Sequence, residues 1–388
     1  MPRAVVVGAG TATFGVHDTP LQELFAAAAL EALDDAGVES TDVGALYLGN
    51  AMGGQGENKT HLGPTVAAHV GLAGVPVQRY EDICTTSANA FNNAVQAVDA
   101  GIHDVVLVGG VERCTPETGK DTAAMTRIFA SASNRQYEQP AGLTFPGIFA
   151  LLTKRHMHEH GTTEEQLAHV AVKNHGNGAL NPRAHFGKEV TVEEALEGPV
   201  VADPFRLMDC CPFSDGASAV VVVGDEHADS YGAPVDVAGV GHATDVVPIA
   251  DKPTPHVTQA ARDAAAEAHE QAGAGADEMD FAEVHDCCTG AEVLASEALG
   301  LVEDGEGGVA AAEGRTARDG DVPINPSGGL KAKGHPIGAT GAAQVVELVE
   351  RLRGTAGERQ IEGAERAVAH NLGGDAATTV VSVLEARS

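Results

Sequence analysis

The sequence predicts an α/β fold in which two duplicated βαβ halves stack as a layered αβαβα sandwich, with a looser segment inserted between them. Three observations predict it. A short apolar strand running into glycines, Ala4-Val5-Val6-Val7-Gly8-Ala9-Gly10, returns with the same shape as Val235-Asp236-Val237-Ala238-Gly239-Val240-Gly241. Each is followed by an alanine-rich amphipathic helix that closes at Ala-Gly, Ala36-Gly37 in one case and Ala272-Gly273 in the other. Finally, 388 residues that are 43% hydrophobic but only 4% aromatic, with no Trp, suit two full domains packed helix-on-sheet through small side chains.

Taken in order, residues 1–114 hold the first strand and helix, a strand at Gly44-Ala45-Leu46-Tyr47-Leu48, a helix-like run from Ala90 to Val95, and a strand from Asp104 to Val108 that reaches Gly109-Gly110. Gly8-Ala9-Gly10 opens like a dinucleotide fingerprint, but the next glycine is displaced to Gly15, so a strand-ending turn is expected. Through residues 115–200 the pattern loosens. Turns at Phe145-Pro146-Gly147, Gly161-Thr162-Thr163 and Asn181-Pro182 surround one clear helix, Glu164 to His175, and the segment reads as an inserted lid or subunit contact. His156, His158 and His160 are spaced by two, which scatters them round a helix; a solvated face is expected, not a metal site. Residues 201–232 return to the first half through a strand at Ala217 to Val223, and the boundary falls near Gly232-Ala233-Pro234. Residues 233–388 repeat the order, with strands at Phe281 to Val284 and at Ala367 to Leu372, the latter reaching Gly373-Gly374, and a helix-like run at Gly341 to Val346. Cys84 and His335 thus hold equivalent places, each just before a helix. Duplication with right-handed crossovers predicts that these two helix starts meet at a shared interface.

The charge balance, 24 Lys+Arg against 55 Asp+Glu for a net −31, excludes a nucleic-acid partner, because phosphate neutralisation needs clustered cations. The carboxylates are spread from Asp18 to Glu385 and not massed in a tail, which points to a surface adapted to a high-salt cytosol. None of the six cysteines forms a C-x-x-C pair, so reduced thiols without metal are expected. Met1-Pro2-Arg3 and the short apolar run after it lack a signal-peptide pattern, and no stretch has membrane-spanning length; a soluble cytoplasmic protein is expected.

Three segments carry chemistry. Cys84, in Asp82-Ile83-Cys84-Thr85-Thr86-Ser87, sits where a helix macrodipole lowers a thiol pKa and favours the nucleophilic thiolate. His335, in Gly334-His335-Pro336-Ile337-Gly338, lies in a dense glycine cluster that lets backbone approach a ligand, and a helix start disfavours imidazolium. A neutral imidazole is what a base for Cys84 requires. His285-Asp286-Cys287-Cys288 ends a strand of the second half, where sites of α/β folds gather.

These segments, with Asn371-Leu372-Gly373-Gly374, Asp203-Pro204-Phe205-Arg206-Leu207 and Ser214-Asp215-Gly216-Ala217, make the chain resemble the thiolase superfamily over essentially its whole length, the archaeal acetyl-CoA acetyltransferases and sterol-carrier-protein-type thiolases above all. The resemblance implies that Cys84 takes the acyl group, that His335 activates it, and that backbone N–H groups of Cys84 and Gly373 form an oxyanion hole. Many thiolases have Asn-Glu-Ala-Phe where this chain has His285-Asp286-Cys287-Cys288, and Cys-x-Gly where it has Asn371-Leu372-Gly373. The resemblance therefore transfers the acid/base thiol to Cys287, with Cys288 a possible second thiol, and gives His285 the enolate-binding task of the family's Asn. It implies no cofactor, since coenzyme A thioesters are substrates. It implies a homodimer or homotetramer, and as partner a small zinc-ribbon/OB-fold protein or a hydroxymethylglutaryl-CoA synthase. Two other readings compete: a ketoacyl synthase or hydroxymethylglutaryl-CoA synthase, and a non-catalytic acyl-CoA or lipid carrier on the same scaffold.

Overall fold

Alanine faces and glycine endings do most of the local work. Leu21 to Ala36 buries Leu24, Phe25, Ala28, Ala29, Ala32 and Leu33 on one side and stops at Gly37, whose φ of 68° only glycine adopts at no cost. The computed structural model describes residues 4–115 and 122–387; Met1-Pro2-Arg3 and residues 116–121 of the inserted segment lie outside the described residues.

The first half runs β1 (Ala4–Thr11), α1 (Leu21–Ala36), β2 (Ala45–Gly49), α2 (Leu62–Val70), β3 (Val77–Tyr80), α3 (Thr86–Asp99) and β4 (Val105–Arg113). The middle segment contains α4 (Thr122–Ala130), α5 (Phe145–His160), α6 (Glu164–Ala179), α7 (Val192–Glu197) and a small hairpin of β5 (Val200–Ala202) and β6 (Phe205–Arg206). β7 (Asp215–Gly224) rejoins the main sheet and a short α8 (Asp225–Ala228) leads on. The second half is β8 (Val235–Thr244), α9 (Gln259–Ala272), β9 (Phe281–Glu283), α10 (Thr289–Ala298), α11 (Gly307–Ala312), α12 (Gly329–Ala332), α13 (Thr340–Leu352), β10 (Arg366–Gly373) and β11 (Thr378–Ala386).

Nine strands hydrogen-bond in the order β3-β2-β4-β7-β1-β8-β11-β10-β9. β1 and β8 meet through only two residue pairs, Val5 with Asp236 and Val6 with Val235, and there the sheet divides into two portions. α3 and α13 lie between the portions: Phe91 and Val345 share one core with Val6, Val106 and Val220 of the first and with Val237, Phe281 and Ala367 of the second. α1 and α2 cover the outer face of the first portion, α9 and α10 that of the second. The result is the αβαβα layering. Phe25 in the outer layer and Phe91 in the middle one are fully buried, each contributing about 1.5–3 kcal/mol.

Three local expectations change. Gly8 and Gly10 lie inside β1, where a Cβ would collide with the carbonyl oxygens of Ala32 and Ala28; Gly239 and Gly241 lie inside β8 against Ala268 and Ala264 in the same way. These glycines are therefore contact points for helix on strand and not turns. β4 likewise continues through Gly109-Gly110, because a Cβ on Gly110 would strike the carbonyl of Gly338. The middle segment is mostly helical, with the expected Glu164–His175 helix continuing to Ala179 behind a capping box of Thr163 and Gln166. On α5, His158 and His160 are exposed, but His156 is fully buried; its Nε2 meets the Glu297 carboxylate at 3.0 Å and its Nδ1 meets Thr162 Oγ1 at 3.0 Å. Docking of α5 on α10 overrides the solvated face. No helix among the described residues is long and apolar enough to cross a membrane.

Candidate active site

The two helix starts do meet. Cys84 lies in the single 3₁₀ turn Ile83–Thr85 that feeds α3, and His335 precedes the turn Ile337–Ala339 that feeds α13. Ser87 Oγ of α3 accepts the Ala342 N–H of α13 at 3.0 Å. A Cβ on Gly341 would run into the backbone of Ala88, so only glycine permits the approach. The turn that carries Cys84 is strained: Ile83 is β-branched yet sits at φ 47°, which costs about 1–3 kcal/mol and marks a position held for a purpose.

β9 delivers the third group. It ends at Glu283, and His285 follows close to His335, with ring centroids 5.0 Å apart in an edge-to-face arrangement. The Cys84 sulfur and one ring nitrogen from each of His285 and His335 lie within 4.8 Å of one another, and all three residues are buried. They line a cavity of about 320 Å³ together with Cys287, Cys288 and Gly374. Its remaining wall is largely apolar and comes in part from the inserted segment, through Phe129 of α4 and Phe145 and Phe149 of α5, and in part from Val201, Phe213, Ile337 and Leu372. Gly373 ends β10, and a Cβ there would lie 2.8 Å from Thr85 Oγ1, so this strand end rests on the Cys84 turn. The backbone N–H that reaches the Cys84 sulfur belongs to the next residue, Gly374.

Burial sets the protonation states. The Cys84 thiol is pushed well above its ordinary range by burial, with the neighbouring Cys287 and Asp82 adding to the rise and the Gly374 N–H opposing it. The expected thiolate at a helix start is thus replaced by a thiol: desolvation of a full charge outweighs the partial charge of a helix end. His335 is lowered to about 3 by burial, and His285 is held well below the usual histidine range by burial and by His335 and His370. Both imidazoles are neutral near pH 7. Cys287 is raised, first by its hydrogen bond with Cys288 and then by burial.

Hydrogen bonds behind His335 decide which of its nitrogens is basic. Thr340 Oγ1 stands 2.7 Å from His335 Nδ1 and 3.0 Å from the Pro336 carbonyl. The single hydroxyl proton goes to the carbonyl, which only accepts, so Nδ1 donates to Thr340 and Nε2 keeps a free lone pair. The loop itself is fastened by Asp286, whose carboxylate accepts the N–H groups of Leu330 at 2.6 Å and Lys331 at 3.2 Å, and by Ser214 Oγ, which accepts the His335 N–H at 3.2 Å. Ser214, Gly374 and Asp286 stand in the sequence motifs without a role attached, and Thr340 lies just beyond the His335 motif. Thr340 alone had a local signal, a hydroxyl one helical turn beyond Pro336.

The chain is similar to known proteins along nearly its whole length. Residues 4–226 match the family described as thiolase, N-terminal domain, and residues 241–386 match thiolase C-terminal domain-like. The chain is 42% identical over 385 residues to an acetyl-CoA acetyltransferase of Methanothermobacter thermautotrophicus, covering 99% of each chain. It is 34% identical to an acetyl-CoA acetyltransferase of Methanocaldococcus jannaschii, again covering 99% of each. Among solved structures, an Ltp2-ChsH2(DUF35) aldolase shares the fold with a TM-score of 0.85 at 24% identity, over 99% of this chain and 98% of that one.

Proposed function

The chain belongs to the thiolase family and is an acyltransferase, and from that premise we propose that it condenses two acyl-CoA molecules, acetyl-CoA foremost, into a 3-ketoacyl-CoA and CoA through an acyl-Cys84 intermediate. The observation that carries the reading is the convergence of one thiol and two neutral imidazoles on the wall of a largely apolar cavity. A carrier has no use for that set.

The geometry supports a balanced cycle. His335 Nε2 takes the Cys84 proton as the sulfur attacks the thioester, giving an imidazolium and a tetrahedral oxyanion. The N–H groups of Cys84 and Gly373 hold that oxygen, with the Gly374 N–H beside them. The intermediate collapses and CoA leaves as a thiolate that takes the proton of Cys287. A second acyl-CoA then gives its α-proton to the Cys287 thiolate, while its carbonyl oxygen, now an enolate, is held by His285 and the His335 imidazolium. The enolate carbon attacks the acyl-cysteine, and the Cys84 thiolate recovers its proton from His335. Cys287 suits this work better than Cys288. It is only half-buried and close enough to raise the Cys84 pKa, whereas Cys288 is packed among Phe149, Leu294 and Leu372.

Mass spectrometry after mixing with acetyl-CoA tests the assignment: the acyl adduct is expected on the peptide containing Cys84, and an adduct on any other peptide refutes it. Two histidines beside a cysteine also suit a decarboxylating synthase. Cleavage of acetoacetyl-CoA by CoA with no malonyl donor present is expected and separates the two.

The reading extends to the protein's setting. The net charge of −31 supports work in a salt-rich cytosol, where screening removes self-repulsion; the melting temperature is expected to rise steeply with KCl, and a flat response refutes it. A homodimer or homotetramer, and a zinc-ribbon/OB-fold or synthase partner, follow from the resemblance. The β5–β6 region offers exposed Val200, Val201 and Leu207 for such a contact, and light scattering of the purified chain at high salt reads the oligomer directly.

A further inference from the structure

We propose that Gln344 and Asn371 are positioning residues that form an amide relay fixing His285 as its Nε2–H tautomer, so that this imidazole donates a hydrogen bond to the enolate oxygen. The inference rests on the reading of the cavity as a Claisen condensation centre.

The relay starts at two groups whose direction is beyond doubt. Gln344, on α13, is almost wholly buried, and its Nε2 faces the backbone carbonyls of His370 at 2.9 Å and Glu283 at 3.3 Å. Carbonyl oxygens only accept, so the amino end of Gln344 must face them and its Oε1 must face the other way. Oε1 lies 2.7 Å from Asn371 Nδ2. Turning the Asn371 amide over would set oxygen against oxygen, so Nδ2 donates. The same Nδ2 lies 3.3 Å from His285 Nδ1. A nitrogen that receives an N–H must present a lone pair, and a neutral imidazole then carries its proton on Nε2.

What that proton faces completes the case. His285 Nε2 has no partner although the ring is fully buried, and the ring lines the cavity beside Cys84. It is a preorganised donor waiting for an acceptor, the arrangement that stabilises a developing oxyanion. Its neighbour is set the opposite way, since Thr340 leaves His335 Nε2 as a lone pair. Two imidazoles 5.0 Å apart are thus given complementary tasks by the hydrogen bonds behind them. The relay also explains why two departures from the common thiolase pattern occur together. A histidine in place of the usual Asn needs its tautomer fixed, and Asn371, in place of the usual Cys, fixes it. A proton on His285 Nε2 moreover removes one of the three donors that would otherwise make Cys84, His285 and His335 resemble a zinc ligand set.

The test is ¹⁵N NMR of the full chain labelled at histidine, at pH 9 where the imidazoles are neutral, with the His285 signals identified by their loss in His285→Gln. In the unsubstituted protein Nε2 is expected to carry the proton. In Asn371→Asp, whose carboxylate only accepts, the proton is expected on Nδ1. A wild-type proton on Nδ1, or one that stays on Nε2 alone in Asn371→Asp, overturns the relay. Kinetically, Asn371→Asp is expected to slow condensation about 10²- to 10³-fold but acylation of Cys84, read as CoA released from acetyl-CoA, by less than about tenfold; equal losses in both half-reactions overturn the proposal in favour of a purely structural role. If Asn371→Asp fails to fold, the wild-type tautomer still decides. Absence of any acyl-Cys84 in a protein whose His285 shows the Nε2–H form would defeat the condensing-enzyme reading and leave the relay standing.

Discussion

The turn that carries Cys84 and the turn that carries His335 occupy equivalent places in the two halves, yet they are held very differently. The hydroxyl hydrogen bonds of the Cys84 turn are made to a sequence neighbour: Thr85 Oγ1 donates to the Asp82 carbonyl at 2.7 Å, and Thr86 Oγ1 accepts the Asp82 N–H at 2.8 Å. The His335 turn is tied to distant parts of the chain. Asp286 receives Leu330 and Lys331, Glu283 receives the Ser327 hydroxyl at 2.6 Å, Ser214 receives His335, and buried Lys333 faces Glu347 at 3.5 Å. The difference fits the tasks proposed for the two residues. A nucleophilic sulfur must move from thiol to thioester and back, whereas a base must keep one lone pair aimed at one proton.

Breaking the first turn's contribution has the largest expected effect. Cys84→Ala is expected to remove the acyl adduct and lower turnover by more than about 10⁴-fold, measured by acetoacetyl-CoA cleavage, with little change in melting temperature because the hydroxyl hydrogen bonds of the turn do not use the Cys84 side chain. The second turn reverses that pattern. Asp286→Ala leaves two buried N–H groups without an acceptor and is expected to cost about 2–4 kcal/mol in denaturant melts. Thr86→Val, which removes a local bond from the first turn, is expected to cost about 1 kcal/mol, and equal costs for the two variants would end the contrast. Thr340→Val frees the His335 tautomer and is expected to lower kcat/KM for acylation about tenfold, with Thr340→Ser restoring it. A further effect is on pH dependence. His335 at about 3 and His370 at about 4 are depressed below their unfolded value of roughly 6.5. The unfolded chain therefore binds more protons than the native one between these limits, and stability falls as the pH drops from about 6.5 towards 4. His335→Gln is expected to flatten that slope.

Much of this could be read along the chain. The duplicated glycine-ended strands, the alanine helices and the matching places of Cys84 and His335 are local patterns, and local patterns survive in one dimension. The meaning of the glycines was not legible: Gly8 and Gly10 looked like a turn because nothing in sequence shows that Ala28 and Ala32 press on them from α1. His156 was misjudged for the same reason, since Glu297, which buries and bonds it, lies 141 residues away.

The candidate chemical groups were legible in the sequence alone: a cysteine, two histidines and a second thiol, each at the end of a strand or the beginning of a helix. Only the tertiary structure decided what charge and tautomer those groups carry. Water exclusion turned the expected thiolate into a thiol and kept both imidazoles neutral. Partners 86 residues away, in the case of Asn371 and His285, chose which ring nitrogen holds a proton. Protonation depends on solvent access and on what stands behind a group, and both are properties of packing in three dimensions.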